Sequence, residues 1–276
     1  MALTVALFFF IDSKRSSIML NILFIGDVVG QTSASYLASQ LPQLKKEYRI
    51  DMTIVNGENS ADGNGITPFS ANILRSGGTD VITTGNHCFR RREMNEMYEE
   101  CDTIIRPANL GDVYGKGVCI FDMGRTSVAV INLLGMSYME HSDNPFHCID
   151  AILKDIRTPN IIVDFHAEAT SEKKAMGFYL ENRVSAVIGT HTHVQTADEE
   201  ILSEHTGYIT DAGMTGVRRS VLGIDKDVII ARLTTYYPQK HIYPAGNIMI
   251  NGVVLSINEK TGCCTAIQRI CKQEGN

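Results

Sequence analysis

The chain has 276 residues, of which 44% are hydrophobic and 20% charged, with a formal net charge of −6. Such a chain is long enough to bury a large core and is composed like an ordinary soluble protein. Its acidic balance argues against broad attraction to nucleic-acid backbones, but it leaves room for a local cationic pocket that takes a small phosphorylated ligand.

Residues Ala2 to Ile11 form an apolar stretch, with Lys14 and Arg15 after it rather than before it. That order is reversed for a signal peptide, and the stretch is too short for a membrane span, which needs about 20 apolar residues. Met19 lies two residues before the first strand-like run, so residues 1–18 read as a dispensable extension and residues 19–276 as one domain. The seven cysteines (Cys88, Cys101, Cys119, Cys148, Cys263, Cys264, Cys271) are odd in number and contain no Cys-x-x-Cys pair. Reduced thiols and a cytoplasmic location are expected. Cys88, next to His87, reads either as a reactive thiol or as a small buried residue beside a pocket.

In chain order, 21–26 is an apolar strand closed by glycine, and 36–48 has helical spacing at Leu37, Leu41, Leu44 and Tyr48. Strand 51–56, helix 68–75, strand 81–84 and helix 91–100 continue the alternation, which favours parallel pairing through right-handed crossovers. Segments 118–123 and 127–132 then predict an antiparallel hairpin around a Gly-Arg turn. The alternation returns with helix 146–156, strand 160–165, helix 172–180 and strand 185–189. Segments 208–211, 227–233, 248–258 and 264–270 all read as strands. Two mixed or packed sheets with helices outside are expected.

Ligand-type residues recur where these strands end: Gly26-Asp27, Gly57-Glu58-Asn59, Gly85-Asn86-His87, Asp164-Phe165-His166 and Gly189-Thr190-His191-Thr192-His193. A parallel sheet would gather all five strings on one rim. Alone, Asp27 or Glu58 reads more often as a turn or helix-cap carboxylate, and Asn86-His87 as a turn. Together they suit a binuclear hydrolytic site, in which carboxylates bridge and imidazoles and amide oxygens fill the remaining positions. The candidate metal ligands are Asp27, Glu58, Asn59, Asn86, His166, His191 and His193. Two divalent ions against two carboxylates leave the centre cationic, suited to a phosphate ester. His87, beside Asn86, is the candidate general acid.

At these residues the chain resembles the calcineurin-like metallophosphoesterases, whose signature runs Asp-x-His, Gly-Asp, Gly-Asn-His, His and Gly-His-x-His. It departs from the common form at Val29, at Glu58 and at Thr190. With those departures it is similar to the YmdB-like branch, described as 2′,3′-cyclic-nucleotide phosphodiesterases. The most specific stretches are ILFIGDVVG (22–30), NGEN (56–59), GNH (85–87), RPAN (106–109), DFHAEATSEK (164–173), GTHTHVQTAD (189–198) and ITDAGMTG (209–216).

The resemblance implies a four-layer α/β/β/α sandwich with mixed β-sheets. It implies one metal on Asp27, Glu58, Asn59 and His193, and a second on Glu58, Asn86, His166 and His191, with Glu58 bridging. Asn59 then replaces the histidine absent at Val29. Neighbours on a regular strand face opposite ways, so Glu58 and Asn59 both coordinate only if the strand has ended before them. The donor set suits iron or manganese, and zinc is compatible. The expected reaction is hydrolysis of a small phosphodiester, most simply a 2′,3′-cyclic nucleotide, by hydroxide generated at the metals, with His87 protonating the leaving oxygen. Alternatives are a nucleotide or sugar phosphomonoesterase and a regulatory protein that binds a nucleotide or RNA end at the same site. A homo-oligomer is expected, with no membrane and no nucleic-acid duplex as partner. Arg106 and Asn109 read either as pocket residues or as parts of an ordered loop.

Overall fold

The computed structural model describes residues 19–139 and 141–275. The extension at 1–18 lies outside them. The strands are β1 Met19–Ile25, β2 Asp27–Val28, β3 Met52–Asn56, β4 Val81–Thr83, β5 Val118–Asp122, β6 Ser127–Leu134, β7 Ile161–His166, β8 Ala186–Thr190, β9 Glu200–Leu202, β10 Thr206–Ile209, β11 Met214–Val217, β12 Ile248–Asn258 and β13 Cys264–Gln273. The helices are α1 Gln31–Tyr48, α2 Pro68–Ser76, α3 Met94–Glu100, α4 Pro145–Leu153, α5 Thr170–Leu180 and α6 Lys226–Thr235.

One sheet runs β2-β11-β12-β1-β3-β4, with β13 along β12, and the other runs β5-β6-β7-β8-β10-β9. In the first, β1, β3 and β4 are parallel, whereas β12 is antiparallel to β1. In the second, β6, β7, β8 and β10 are parallel and β5 and β9 are antiparallel edges.

Strand period fixes the layers, because alternate side chains leave opposite faces. Leu20, Ile22 and Phe24 of β1 and Ile54 of β3 meet Val128, Val130, Ile162 and Ile188 of the other sheet in a core between the two. The intervening residues Leu23, Ile25 and Val55 turn outward onto Leu37 and Leu41 of α1 and Leu74 of α2. On the far side Ile131, Val163, Phe165 and Val187 pack under Ile149 of α4 and Met176 and Leu180 of α5. Three apolar seams between four layers make the expected α/β/β/α sandwich.

The hairpin is also found, with Asp122 opposite Ser127. The short strands β2, β9 and β11 lie outside every predicted segment, and one predicted segment has the wrong type. Residues 227–233 form helix α6 instead of a strand, because the Asp225 side chain accepts hydrogen bonds from the Asp227 and Val228 amides and caps a helix. The β-branched run Val228–Ile230 suggests a strand, but none of the described strands pairs with it, and α6 buries none of its residues. It belongs to an excursion between β11 and β12. No helix among the described residues is long and apolar enough to cross a membrane.

Candidate functional site

The inner-face parity that builds the central core continues to the ends of the strands, where the residues become polar. Asn56 of β3, Thr83 of β4, Asp164 and His166 of β7, and Thr190 of β8 all lie buried between the sheets. Asp164 joins them. Its Oδ2 accepts from Asn56 Nδ2 at 2.9 Å and Thr83 Oγ1 at 2.5 Å, and its Oδ1 accepts from Thr190 Oγ1 at 2.7 Å. This hub ties the sheets together directly beneath the rim. Burial raises the Asp164 carboxyl to about 6, against the opposing pull of His166 and the two threonine hydroxyls.

Strand β3 ends at Asn56, whose Oδ1 accepts from the Glu58 amide at 3.1 Å. The strand is therefore over before Glu58 and Asn59, and both can face the rim. The Glu58 carboxylate is fully buried, and its two oxygens face different groups. Oε2 lies 3.2 Å from His166 Nε2, which in turn is 3.1 Å from Asn86 Oδ1 and 3.1 Å from His191 Nδ1. Oε1 lies 2.7 Å from Asn59 Nδ2, which is 3.4 Å from His193 Nε2. His193 Nε2 is 3.8 Å from Asp27 Oδ1, a buried oxygen with no hydrogen-bond partner among the described residues. The ligand atoms of Glu58, His166 and His191 all lie within 4.8 Å of one another. All seven expected ligands thus meet at one rim, in two groups divided by Glu58.

Each imidazole is oriented from behind. Thr190 gives its single proton to Asp164, so its oxygen is left to accept from His166 Nδ1 at 2.9 Å. His191 directs Nε2 to Glu168 Oε2 at 3.1 Å, and His193 directs Nδ1 to the Leu222 carbonyl at 3.2 Å. Outer acceptors of this kind hold the proton on the far nitrogen and leave the near one free to ligate. Three near ring nitrogens, the carboxylates of Glu58 and Asp27, the latter with an unpartnered oxygen, and the Asn86 oxygen suit hard or borderline divalent cations. Asn59 presents Nδ2 to this side and Oδ1 to His87, so ligation through its oxygen requires a half-turn of the amide. Gly85 completes the fit, since a methyl group there would collide with the Glu58 carboxylate and the His166 ring.

The electrostatics call for positive charge. Burial would lower the His166 pKa, but Glu58, Asp27 and Asp164 outweigh it and raise it to about 9. Burial would raise Glu58, yet His166 and His87 hold it well below the usual carboxylate range. Asp27 is raised by burial despite the opposing His193 and His166. Burial and the neighbouring His166 push His191 down to about 3. Two buried carboxylates make a proton on His166 the substitute for a cation.

His87 borders the cleft, with Nδ1 2.9 Å from Asn59 Oδ1 and 3.2 Å from Glu58 Oε1. The cleft has a volume of about 310 Å³. Its far wall comes from Leu222, Ile224, His241 and Tyr243 of the excursion between β11 and β12. Tyr243 Oη accepts from the amides of Gly63 at 2.9 Å and Asn64 at 3.3 Å, pinning that wall to the loop after Asn59. Cys88 is buried, and burial raises its thiol to about 12, so it is a packing residue. Arg106 donates to the carbonyls of Pro107, Ala108, Gly111, Val113 and Tyr114, and Asn109 to those of Leu134 and Asp143. Both order a loop and neither lines the cleft.

A family model described as YmdB-like protein matches residues 23–270. The chain belongs to this family. The YmdB-like chain is 42% identical over 254 residues to the 2′,3′-cyclic-nucleotide 2′-phosphodiesterase of Bacillus subtilis strain 168, covering 91% of this chain and 96% of the relative. A crystal structure of a hypothetical protein from Thermus thermophilus superposes on the YmdB-like fold with a TM-score of 0.86 at 34% identity, covering 92% of this chain and 100% of the other. A crystal structure titled as a novel phosphatase of Mycoplasma pneumoniae gives 0.87 at 30% identity, covering 92% and 94%.

Proposed function

We propose that the chain is a binuclear metal-dependent phosphodiesterase whose substrates are small phosphodiesters, 2′,3′-cyclic nucleotides above all. It is a hydrolase acting on phosphoric esters. The observation that carries the binuclear reading is the division of the site by Glu58, with Oε1 toward Asn59 and His193 and Oε2 toward His166. The similarity to the Bacillus subtilis enzyme carries the choice of ester.

Asp27, Glu58, Asn59 and His193 would hold one ion, and Glu58, Asn86, His166 and His191 the other. Bound there, two divalent cations would neutralise phosphoryl oxygens and make the attacking water more acidic. The chain's own residues do the rest. Glu58 sets the spacing of the two subsites. Thr190, Glu168 and the Leu222 carbonyl hold the three rings so that the near nitrogens face inward. Water adds to phosphorus and releases a proton to solvent, the bond from phosphorus to one ribose oxygen breaks, and that oxygen takes a proton from His87 Nε2, which solvent then restores. The Nδ1–H of His87 is steadied by Glu58 Oε1, which stays in reach when the Asn59 amide turns to ligate. The apolar side chains of Leu222 and Ile224 leave room for the nucleoside beyond the phosphate. Residues 19–276 are read as sufficient for this, so removing 1–18 should leave turnover intact.

The test is turnover of 2′,3′-cAMP, 3′,5′-cAMP, 5′-AMP and bis-p-nitrophenyl phosphate side by side by metal-loaded protein and a Glu58→Ala variant. The expected outcome is preference for the 2′,3′-cyclic diester and a loss exceeding about 10³-fold in the variant. Equal rates in the two proteins would remove the site from the reaction. Preference for 5′-AMP would make the chain a monoesterase. Release of bound cyclic nucleotide unchanged would make it a binding protein.

A further inference from the structure

Two buried charges in the family-like strings have no part in the chemistry above. Lys173 of α5 is 1% exposed and Asp211, just after β10, is 0% exposed, and Lys173 Nζ donates to Asp211 Oδ2 at 2.7 Å. A buried ion pair gives back little more than its own desolvation cost, so stability alone does not account for it. The remaining bonds of Asp211 show what it holds. Its Oδ2 also accepts from the backbone amide of Thr192 at 3.0 Å and from Thr192 Oγ1 at 2.8 Å, while Oδ1 accepts from the Gly213 amide at 2.9 Å.

Thr192 is the residue between His191 and His193. Those histidines have φ of 100° and 63°, in the left-handed region that disfavours a side chain. Two such residues flanking one anchored threonine form a strained turn, and that turn aims both rings back toward the rim. The other backbone tie is the His191 amide, which donates to Asp27 Oδ2 at 3.1 Å. Without the grip on Thr192, the turn could relax toward extended backbone and carry both rings away from Glu58. Lys173 cancels the charge of Asp211, so the grip adds no net charge beside the ligands.

We propose that Lys173, Asp211 and Thr192 form a positioning brace that holds the double-histidine turn in its ligating conformation before any metal binds. This rests on the binuclear reading and adds the group that preorganises one side of it. Asp211 and Lys173 touch neither substrate nor metal, and act through Thr192 on the two rings.

The test titrates metal-depleted protein with Mn²⁺ and records long-range imidazole ¹H–¹⁵N spectra of the metal-free form. Wild type should bind two ions and give single sharp signals for His191 and His193. Thr192→Val keeps the shape and removes the hydroxyl. It should weaken binding by about 10–100-fold, as loss of an outer-shell partner does, and broaden or double those two signals in a protein that still melts cooperatively. Asp211→Asn should do the same or more, and Thr192→Ser should restore wild-type behaviour. Wild-type affinity and sharp signals in both Thr192→Val and Asp211→Asn would overturn the brace. So would a loss in Thr192→Ser as large as in Thr192→Val, which would trace the effect to the disturbed loop. Wild type that binds fewer than two ions would overturn the binuclear reading and the brace with it.

Discussion

The site has two walls of different make. One is built from strand ends: Asp27, Glu58 and His166 are wholly buried, and the Asp164 hub locks their strands across the two sheets. The other is built from connections. His191 and His193 sit on a left-handed turn, and Leu222, His241 and Tyr243 come from an excursion whose helix buries nothing. Of the seven proposed ligands, Asp27 and His166 lie in strands and the other five in the connections that follow strand ends, whereas the far wall of the cleft comes from an excursion that can vary without disturbing the core.

Four measurements probe how separate the two walls are. His87→Ala removes the proposed proton donor, which borders the cleft outside the seven proposed ligands. It should keep both ions and lose about 10²–10⁴-fold in turnover, and the loss should shrink for a p-nitrophenyl ester, whose leaving group needs no proton. Loss of metal in this variant would place His87 among the ligands instead.

Thr190→Val takes away the acceptor behind His166 on the strand-built wall. The expected result is metal affinity weaker by about 10–100-fold. An unchanged affinity would mean that His166 is oriented by packing alone.

Tyr243→Phe tests the loop-built wall. It deletes the acceptor for the Gly63 and Asn64 amides, net bonds worth about 1 kcal/mol each. KM for a cyclic nucleotide should rise several-fold with kcat and metal content nearly unchanged. A fall in metal content would show that the two walls are coupled.

The smallest effect is on thermal stability. His166 is raised from 6.5 to about 9 in the fold. A proton there stabilises the folded metal-free protein fully below about 6.5, and that contribution is lost as pH rises through about 9. The melting temperature of metal-depleted protein should fall across this interval relative to its metal-loaded form, in which the ring nitrogen is committed to the ion. Parallel profiles would show that His166 carries no proton in the absence of metal.

The strand-built wall was legible in the sequence, whereas of the loop-built wall only His191 and His193 were, through the string at 189–193. Asp27, Glu58, Asn86 and His166 each close an apolar run, so period and punctuation alone place them on one rim. Asp164 and Thr190 lie inside the same strings, but their role depends on which face of the sheet they share with His166, and that follows only from the pairing of β6, β7 and β8. The acceptor behind His193 is a backbone carbonyl at Leu222, which any residue would supply and no motif can mark. Tyr243 meets Gly63 across 180 positions of chain. Helix α6 was hidden because Val228–Ile230 favours extended structure, while the deciding signal was the single capping carboxylate of Asp225.

Gly85 contributes no side-chain donor or acceptor, yet it is packed against both the Glu58 carboxylate and the His166 ring. Every single-base change that alters a glycine codon's meaning either adds side-chain atoms or ends the chain. In a saturation library Gly85 should therefore be as intolerant as Glu58 itself, and a list of ligands drawn from such a library would wrongly include it.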